Sequence, residues 1–270
     1  MLPVHERGCV TEAVQYTTQL QAGLGLVEET KLLLSIYEPG QTSSELYESA
    51  LNSGLFPMVS ARRLRNIVSE CFAPRYLKQG GAPHLKRLST EVSTSTLNQL
   101  LMVYTAEANL IFRDFVREVF WPHYAGGRST ISLDDAKDFV EQAVRDGKTQ
   151  KYWAESTIKR MSSYLIGCCA DYGLLSSRRT SARDIQPIRI EQSTVLYLAY
   201  MHHLNGLGDN AVINHPSWEL FGLEPMDVRD ELKRLAKNNW LIVQSAADVV
   251  RISWQYKTME EVVDVIIAER

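Results

Sequence analysis

Long apolar runs are missing from this chain. The longest, Val195 to Met201, falls far short of the roughly 20 residues a spanning helix needs, so no membrane partner is expected. The start, with His5, Glu6 and Arg7, lacks a basic stretch followed by an apolar one, and the expected location is the cytoplasm. Cysteine is scarce: Cys9, Cys71, Cys168 and Cys169 include no CxxC pair, which excludes a zinc ribbon. Cys71, Cys168 and Cys169 fall on or beside apolar helix stripes, where a thiol acts as a small hydrophobe. No Walker A loop, GxGxxG or GxSxG occurs. At 270 residues the chain buries roughly 70–75% of its unfolded surface, so it needs neither disulfide nor metal to fold.

The fragments that carry catalysis elsewhere are incomplete. Ser156-Thr157-Ile158-Lys159 fits an SxxK pattern, but no SDN or KTG accompanies it. His202 and His203 are adjacent on a helix and cannot face one site, and no HExxH supplies further ligands. Asp134-Asp135 sits at a helix start, where the dipole favours acids. The expectation is a protein that is not an enzyme, with no catalytic residues, no metal site and no cofactor.

Charge is present but segregated. The net charge is −3, yet Ser60 to Thr90 carries +6 and Arg145 to Arg183 carries +5, leaving −14 on the rest. Two basic islands on an acidic body point to a local polyanion contact.

Most of the chain reads as helix. Glu28 to Tyr37 forms one. Thr42-Ser43-Ser44-Glu45 is a capping box opening a second that stops at Gly54. Ser60 caps a third, with Arg62, Arg65, Asn66 and Ser69 outward, and Pro74 closes it. Lys78 to His84 reads as a linker. Ser95 to Phe120 reads as one long helix ended by Trp121-Pro122. Ser132-Leu133-Asp134-Asp135 caps a helix running to Asp146. In the C-terminal third, Ser193 to Leu204, His215 to Phe221 and Pro225 to Asn238 read as helices. A hairpin of Trp240 to Gln244 with Val249 to Trp254 and a helix capped at Thr258 follow. The outward face there, Asp227, Asp230, Glu231 and Arg234, is acidic and suits packing or a protein partner.

The segment from Trp153 to Ile190 is the most telling. Ile158, Met161, Leu165, Cys168 and Tyr172 make one helical stripe; Ser156, Lys159, Arg160 and Ser163 make the opposite one. Gly173 stops the helix, Arg178-Arg179 follow, and Pro187 to Ile190 reads as a strand. A helix with an apolar back and a face of hydroxyls and cations suits a DNA groove, and a basic hairpin after it would be a wing. The expected fold is therefore mainly α, with helix-turn-helix and winged-helix lobes around a long central helix and short β-hairpin wings. The lobes are 1–90, 91–190 and 191–270.

Three stretches resemble the BrxA family, a small component of BREX phage-defence systems. They are Phe112-Arg113-Asp114-Phe115-Val116-Arg117-Glu118-Val119, Trp153-x-Glu155-Ser156-Thr157-x-Lys159 with Gly173-Leu174-Leu175, and Tyr16-Thr17 through Leu24 with Glu28-Glu29. The resemblance spans about Tyr16 to Ile190. It implies a non-catalytic accessory protein in a system that marks self DNA by methylation and blocks phage propagation. Family members have been compared with NusB-like RNA binders and with winged-helix DNA binders.

The reading that follows is a double-stranded DNA-binding protein with weak sequence preference, monomeric, working beside other BREX proteins. The phosphate-facing set is Arg62, Arg63, Arg65, Lys148, Lys151, Ser156, Lys159, Arg160, Arg178, Arg179 and Arg183. The alternatives are a NusB-like RNA binder and an interaction scaffold within the defence complex.

Overall fold

The computed structural model describes residues 15–177, 181–246 and 249–269. Among them the chain is mainly α-helical with two small antiparallel sheets. One buried apolar cluster runs from Tyr16 to Ile266 and takes in side chains from all three stretches of the chain.

The N-terminal helices are α1 (Val27–Ile36), α2 (Ser43–Asn52) and α3 (Ala61–Asn66). The Thr42–Glu45 capping box forms as its spacing requires. Ser60 caps α3 by accepting from the Arg63 amide. Pro74 does not close this helix. α3 runs on as a π-helix, Ile67–Leu77, with Pro74 inside it. The wider i→i+5 turn seats a residue that has no N–H to give. The expected linker shrinks to a turn, because Pro83 sits in the first turn of α4 (Ala82–Leu88), where a missing N–H costs nothing.

The expected long helix is broken. α5 (Thr94–Ala108) ends at Asn109, whose backbone leaves helical space at φ −134° and ψ 84°. The Asn109 amide group donates to the Thr105 carbonyl instead. α6 (Leu110–Phe115), a π-helical turn (Val116–Phe120) and α7 (Trp121–Ala125) continue the line past Pro122. α5 is buried nearly all round, and its polar atoms are spent inside. Gln99 bonds the Arg189 carbonyl and the Glu191 amide, and Thr105 meets the Tyr172 hydroxyl at 2.6 Å.

Next come β1 (Thr130–Ser132), α8 (Leu133–Arg145), α9 (Glu155–Asp171) and β2 (Ala182–Asp184). Ser132 and Asp135 form the second capping box. β1 pairs antiparallel with β2, Ile131 opposite Arg183. β2 also meets the segment leaving α9, through the Leu175–Ile185 bridge and the Ser176 amide on the Asp184 carbonyl. Three extended segments therefore lie in the order 130–132, 182–185, 174–176. The expected strand at Pro187 to Ile190 is displaced to Ala182–Asp184. Residues 187–190 instead cross to α10, held by Gln99.

The C-terminal unit comprises α10 (Gln192–Leu204), α11 (Asp209–Ile213), a 3-10 turn (Pro216–Phe221), α12 (Pro225–Lys237), β3 (Leu241–Ala246), β4 (Val249–Trp254) and α13 (Met259–Ala268). Asn239 takes the left-handed conformation at φ 59° between α12 and β3, as its position at a helix end favours. Asp209 ties α11 to the hairpin by accepting from the Ile252 amide and the Trp254 indole. Glu231, expected outward, is buried and bonded by Gln192 and Arg234.

An arm, residues 15–26, joins the first and second units. Tyr16 pairs in parallel with Thr149, and its hydroxyl donates to Asp114. Arg75, 2% exposed, donates to the carbonyls of Gly23 at 3.0 Å and Gly25 at 3.3 Å. A buried guanidinium without partners costs several kcal/mol, so these two bonds hold the arm as much as the arm satisfies Arg75. Replacing Arg75 with Met keeps the bulk and orphans the Gly23 carbonyl. The expected result is a loss of about 1–3 kcal/mol in denaturant unfolding, with faster amide exchange concentrated at 17–26. Unaltered exchange there would mean that the arm is held by something else.

His202 generates a pH dependence. Its Nε2 meets Ser217 Oγ at 2.7 Å, and its ring stacks on His215 at 3.7 Å. Burial and the charge of His215 lower its pKa from 6.5 to about 3. Between those values the unfolded chain binds a proton that the folded chain refuses, so stability is full above pH 6.5 and falls as pH drops. The slope contributed is at most about 1.4 kcal/mol per pH unit. Unfolding midpoints measured from pH 7 to 4 should show this slope in the native chain and lose much of it in His202→Gln.

Candidate nucleic-acid interface

α9 is placed by its back. Ile158, Met161, Leu165, Cys168 and Tyr172 are all buried, as the stripe predicts. Fully burying a large apolar side chain contributes up to about 1.5–3 kcal/mol. Intrinsic helix preferences differ by tenths, so packing sets the rotation of α9. The opposite stripe, Ser156, Lys159, Arg160 and Ser163, is exposed throughout. Gly173 ends the helix at φ +79°, a conformation that lets the chain reverse into Leu174 and Leu175.

Around the start of α9 the expected cations are open. Lys148 stands 3.9 Å from Glu118, a loose pair, and Lys151 and Lys159 have no ion-pair partner among the described residues. Arg160 is exposed and only its Nε is used, on the Ser156 carbonyl at 3.3 Å. Ala154 precedes the helix with no side-chain cap, so the positive end of the helix dipole faces out beside Lys151 and Tyr152, the latter 87% exposed. Trp153 is core.

Arg178 and Arg179 lie outside the described residues. Arg183 is described and is half-buried. It turns toward Asp171 and Cys169, with its Nη1 on the Ser176 carbonyl. It braces β2 against α9 and is poorly placed to meet a phosphate.

The N-terminal island shrinks on inspection. Arg75 is internal, Lys86 is held by Glu38 and the Tyr37 carbonyl, and Arg87 pairs with Asp264. Arg62, Arg63 and Arg65 remain exposed on α3. Arg63 donates to the Ala22 carbonyl, and Arg65 sits 4.8 Å over the Tyr47 ring. Neither contact removes the charge from solvent.

The other candidates resolve into structure. Asp135 caps α8; burial would raise its pKa, but bonds from Ser132, His123 and Arg128 hold it at about 2. Asp134-Asp135 is thus no free carboxylate pair. His202 faces Ser217, whereas His203 stacks on Trp254. Burial pushes the thiols of Cys71, Cys168 and Cys169 up, away from the reactive thiolate. Among the described residues no group of His, Cys, Asp or Glu could hold a metal ion, and no helix is long and apolar enough to cross a membrane.

What the sequence does not disclose is the arm. Leu24 and Gly25 lie over the C-terminal half of α9, where Gly25 donates to Asp171 at 2.8 Å. These are contacts between residues far apart in the chain, and no periodicity encodes them.

The chain is similar in fold to a solved structure, that of an uncharacterized protein from Magnetospirillum magneticum. The two share 15% identity over 70% of this chain and 94% of the other, with a TM-score of 0.57. No curated protein matches the chain. The family model for BrxA matches residues 14–201, which include the arm, both basic islands and α9. The chain therefore belongs to the BrxA family and is a component of a BREX phage-defence system.

Proposed function

We propose that this protein is a non-catalytic, double-stranded DNA-binding component of its BREX system, gripping the duplex mainly through phosphates. The observation that carries this reading is the outward stripe of α9. Two hydroxyls and two unpaired cations project from the second helix of a helix-turn-helix, α8 to α9. The strand order 130–132, 182–185, 174–176 matches a winged helix, in which α9 would enter the major groove. Arg178 and Arg179, outside the described residues, lie in sequence between the last two segments. Lys148, Lys151 and the open start of α9 suit flanking phosphates. Few side chains on α9 can read base edges, Arg160 foremost, which favours weak sequence preference.

The C-terminal unit repeats the helix-and-hairpin plan with Asp227 and Asp230 on α12, where Lys233 and Arg234 are paired with Asp230 and Glu231. It also exposes Met226 at 69% and Ile242 at 50%. That surface suits another protein of the system better than phosphate, so the proposed division is DNA on α9 and protein partners at the C-terminal unit.

The test is duplex binding by fluorescence anisotropy across a salt series. Lys159→Ala with Arg160→Ala should weaken binding on all sequences alike and reduce the salt slope by about two. Arg178→Ala with Arg179→Ala should act in the same way if the wing is engaged. Structured RNA competing better than duplex at equal salt would favour a NusB-like role. No retention of either nucleic acid at micromolar protein and 50–100 mM salt would leave an interaction scaffold.

A further inference from the structure

A cleft of about 380 Å³ opens where the start of α4, α5 and the C-terminal unit meet. Small-molecule sites recur at such junctions, and the volume is ordinary for one. Part of its wall is buried and polar. Tyr104 and Tyr197 are buried with their hydroxyls 2.7 Å apart, and His202 is 4% exposed. His215 and the thioethers of Met201 and Met259 add to the sides, and Glu107 is exposed at the rim. Among the described residues no Lys or Arg lines this cleft.

The two imidazoles set its hydrogen-bonding pattern. Their centroids lie 3.7 Å apart, and both rings meet Ser217 Oγ. His202 does so through Nε2 at 2.7 Å and His215 through Nδ1 at 2.9 Å. The Ser217 amide also donates to His215 Nδ1, at 3.2 Å, so that nitrogen carries no proton. Desolvation lowers the pKa of both rings, in His215 against the nearby charge of Glu107, and keeps both neutral at pH 7. One arrangement then puts a proton in each short contact. The Ser217 hydroxyl donates to His215 Nδ1 and accepts from His202 Nε2. By elimination His215 holds its proton on Nε2, and His202 Nδ1 keeps a bare lone pair. Neither atom has a hydrogen bond among the described residues. The cleft is thus lined by two stacked rings, one with a free donor and one with a free acceptor.

This pattern selects among ligands. An anion would meet Glu107 and no cation. An ammonium group has donors only and would oppose His215 Nε2–H. A flat heterocycle with an N–H beside a ring nitrogen or carbonyl satisfies both rings, and its faces suit the sulfurs of Met201 and Met259. We propose that this cleft binds an uncharged nitrogen heterocycle of the nucleobase type, paired along one edge with His202 and His215. It takes the free base or nucleoside rather than the nucleotide, because a phosphate at the mouth would lie against Glu107.

Calorimetric titration of the full chain at low salt tests this, with adenosine, guanosine, cytidine and thymidine each set beside its 5′-monophosphate. At least one nucleoside should bind at a single site with a Kd below about 1 mM. Its monophosphate should bind about tenfold more weakly, a gap that Glu107→Gln should narrow. In nitrogen NMR of the histidines, the bound nucleoside should move the His202 Nδ1 and His215 Nε2 signals. Met259→Trp, which fills the cleft from a half-buried position, should abolish binding with the unfolding midpoint retained. The proposal is overturned if none of the four nucleosides binds by about 5 mM. Tighter binding of the monophosphates overturns it too, as does putrescine binding in place of the nucleosides, or nucleoside binding that leaves both ring signals unmoved. No residue of α9 lines the cleft, so these outcomes are separate from those for duplex binding.

Discussion

A single buried guanidinium organises the contact between the first two units. Arg75 sits in the π-helical continuation of α3 and is nearly sealed from water. Its donors go to two carbonyls of the arm, and the arm rests on α9. Remove the arm and a charge is stranded in the core; remove the charge and the arm carbonyl at Gly23 has no partner. A stranded charge costs several kcal/mol and an orphaned carbonyl about 1–3 kcal/mol, each a sizeable share of the stability of an ordinary domain. The orientation of α3 relative to α9 is thus fixed by polar satisfaction as well as by apolar contact.

This bears on how charge is used. The sequence holds two basic islands, but the fold withdraws part of each. Arg75 becomes a structural strut, Lys86 and Arg87 tie α4 to neighbours, and Arg183 braces β2. What stays in water is a smaller set gathered on α3 and at the N-terminal half of α9. Exposed ion pairs such as Arg87–Asp264 contribute little to stability, on the order of 0–1 kcal/mol. Their effect is rather to subtract cations from the pool that a phosphate backbone could meet.

The elements legible in the sequence were those whose cause is local. The capping boxes at Thr42 and Ser132, the stop at Gly173 and the two stripes of α9 all follow from side chains within one turn of each other. The misreadings share a different cause. Asn109 breaks a perfect apolar stripe because its side chain prefers the Thr105 carbonyl, a choice periodicity does not record. Pro74 reads as a terminator only if the helix must be α. The strand after α9 was expected at the apolar 187–190. Pairing with β1 selected 182–184, less apolar but in register with Ile131. Of the candidate site, exposure of the α9 cations was readable; the inward turn of Arg183 and the arm over Gly167 depend on tertiary neighbours.

The two helix-and-hairpin units make the last point. Their backbones follow a similar plan: a helix pair, a left-handed residue, and an antiparallel hairpin. Yet the first presents Lys159 and Arg160 without acidic partners, whereas the second presents Asp227 and Asp230 together with Lys233, Arg234 and Lys237. Backbone form therefore does not decide what such a unit binds; the charges left unpaired on its outward helix do. On α12 Lys233 is paired with Asp230 and Arg234 with Glu231, so that helix lacks the adjacent unpaired cations that α9 offers to a polyanion.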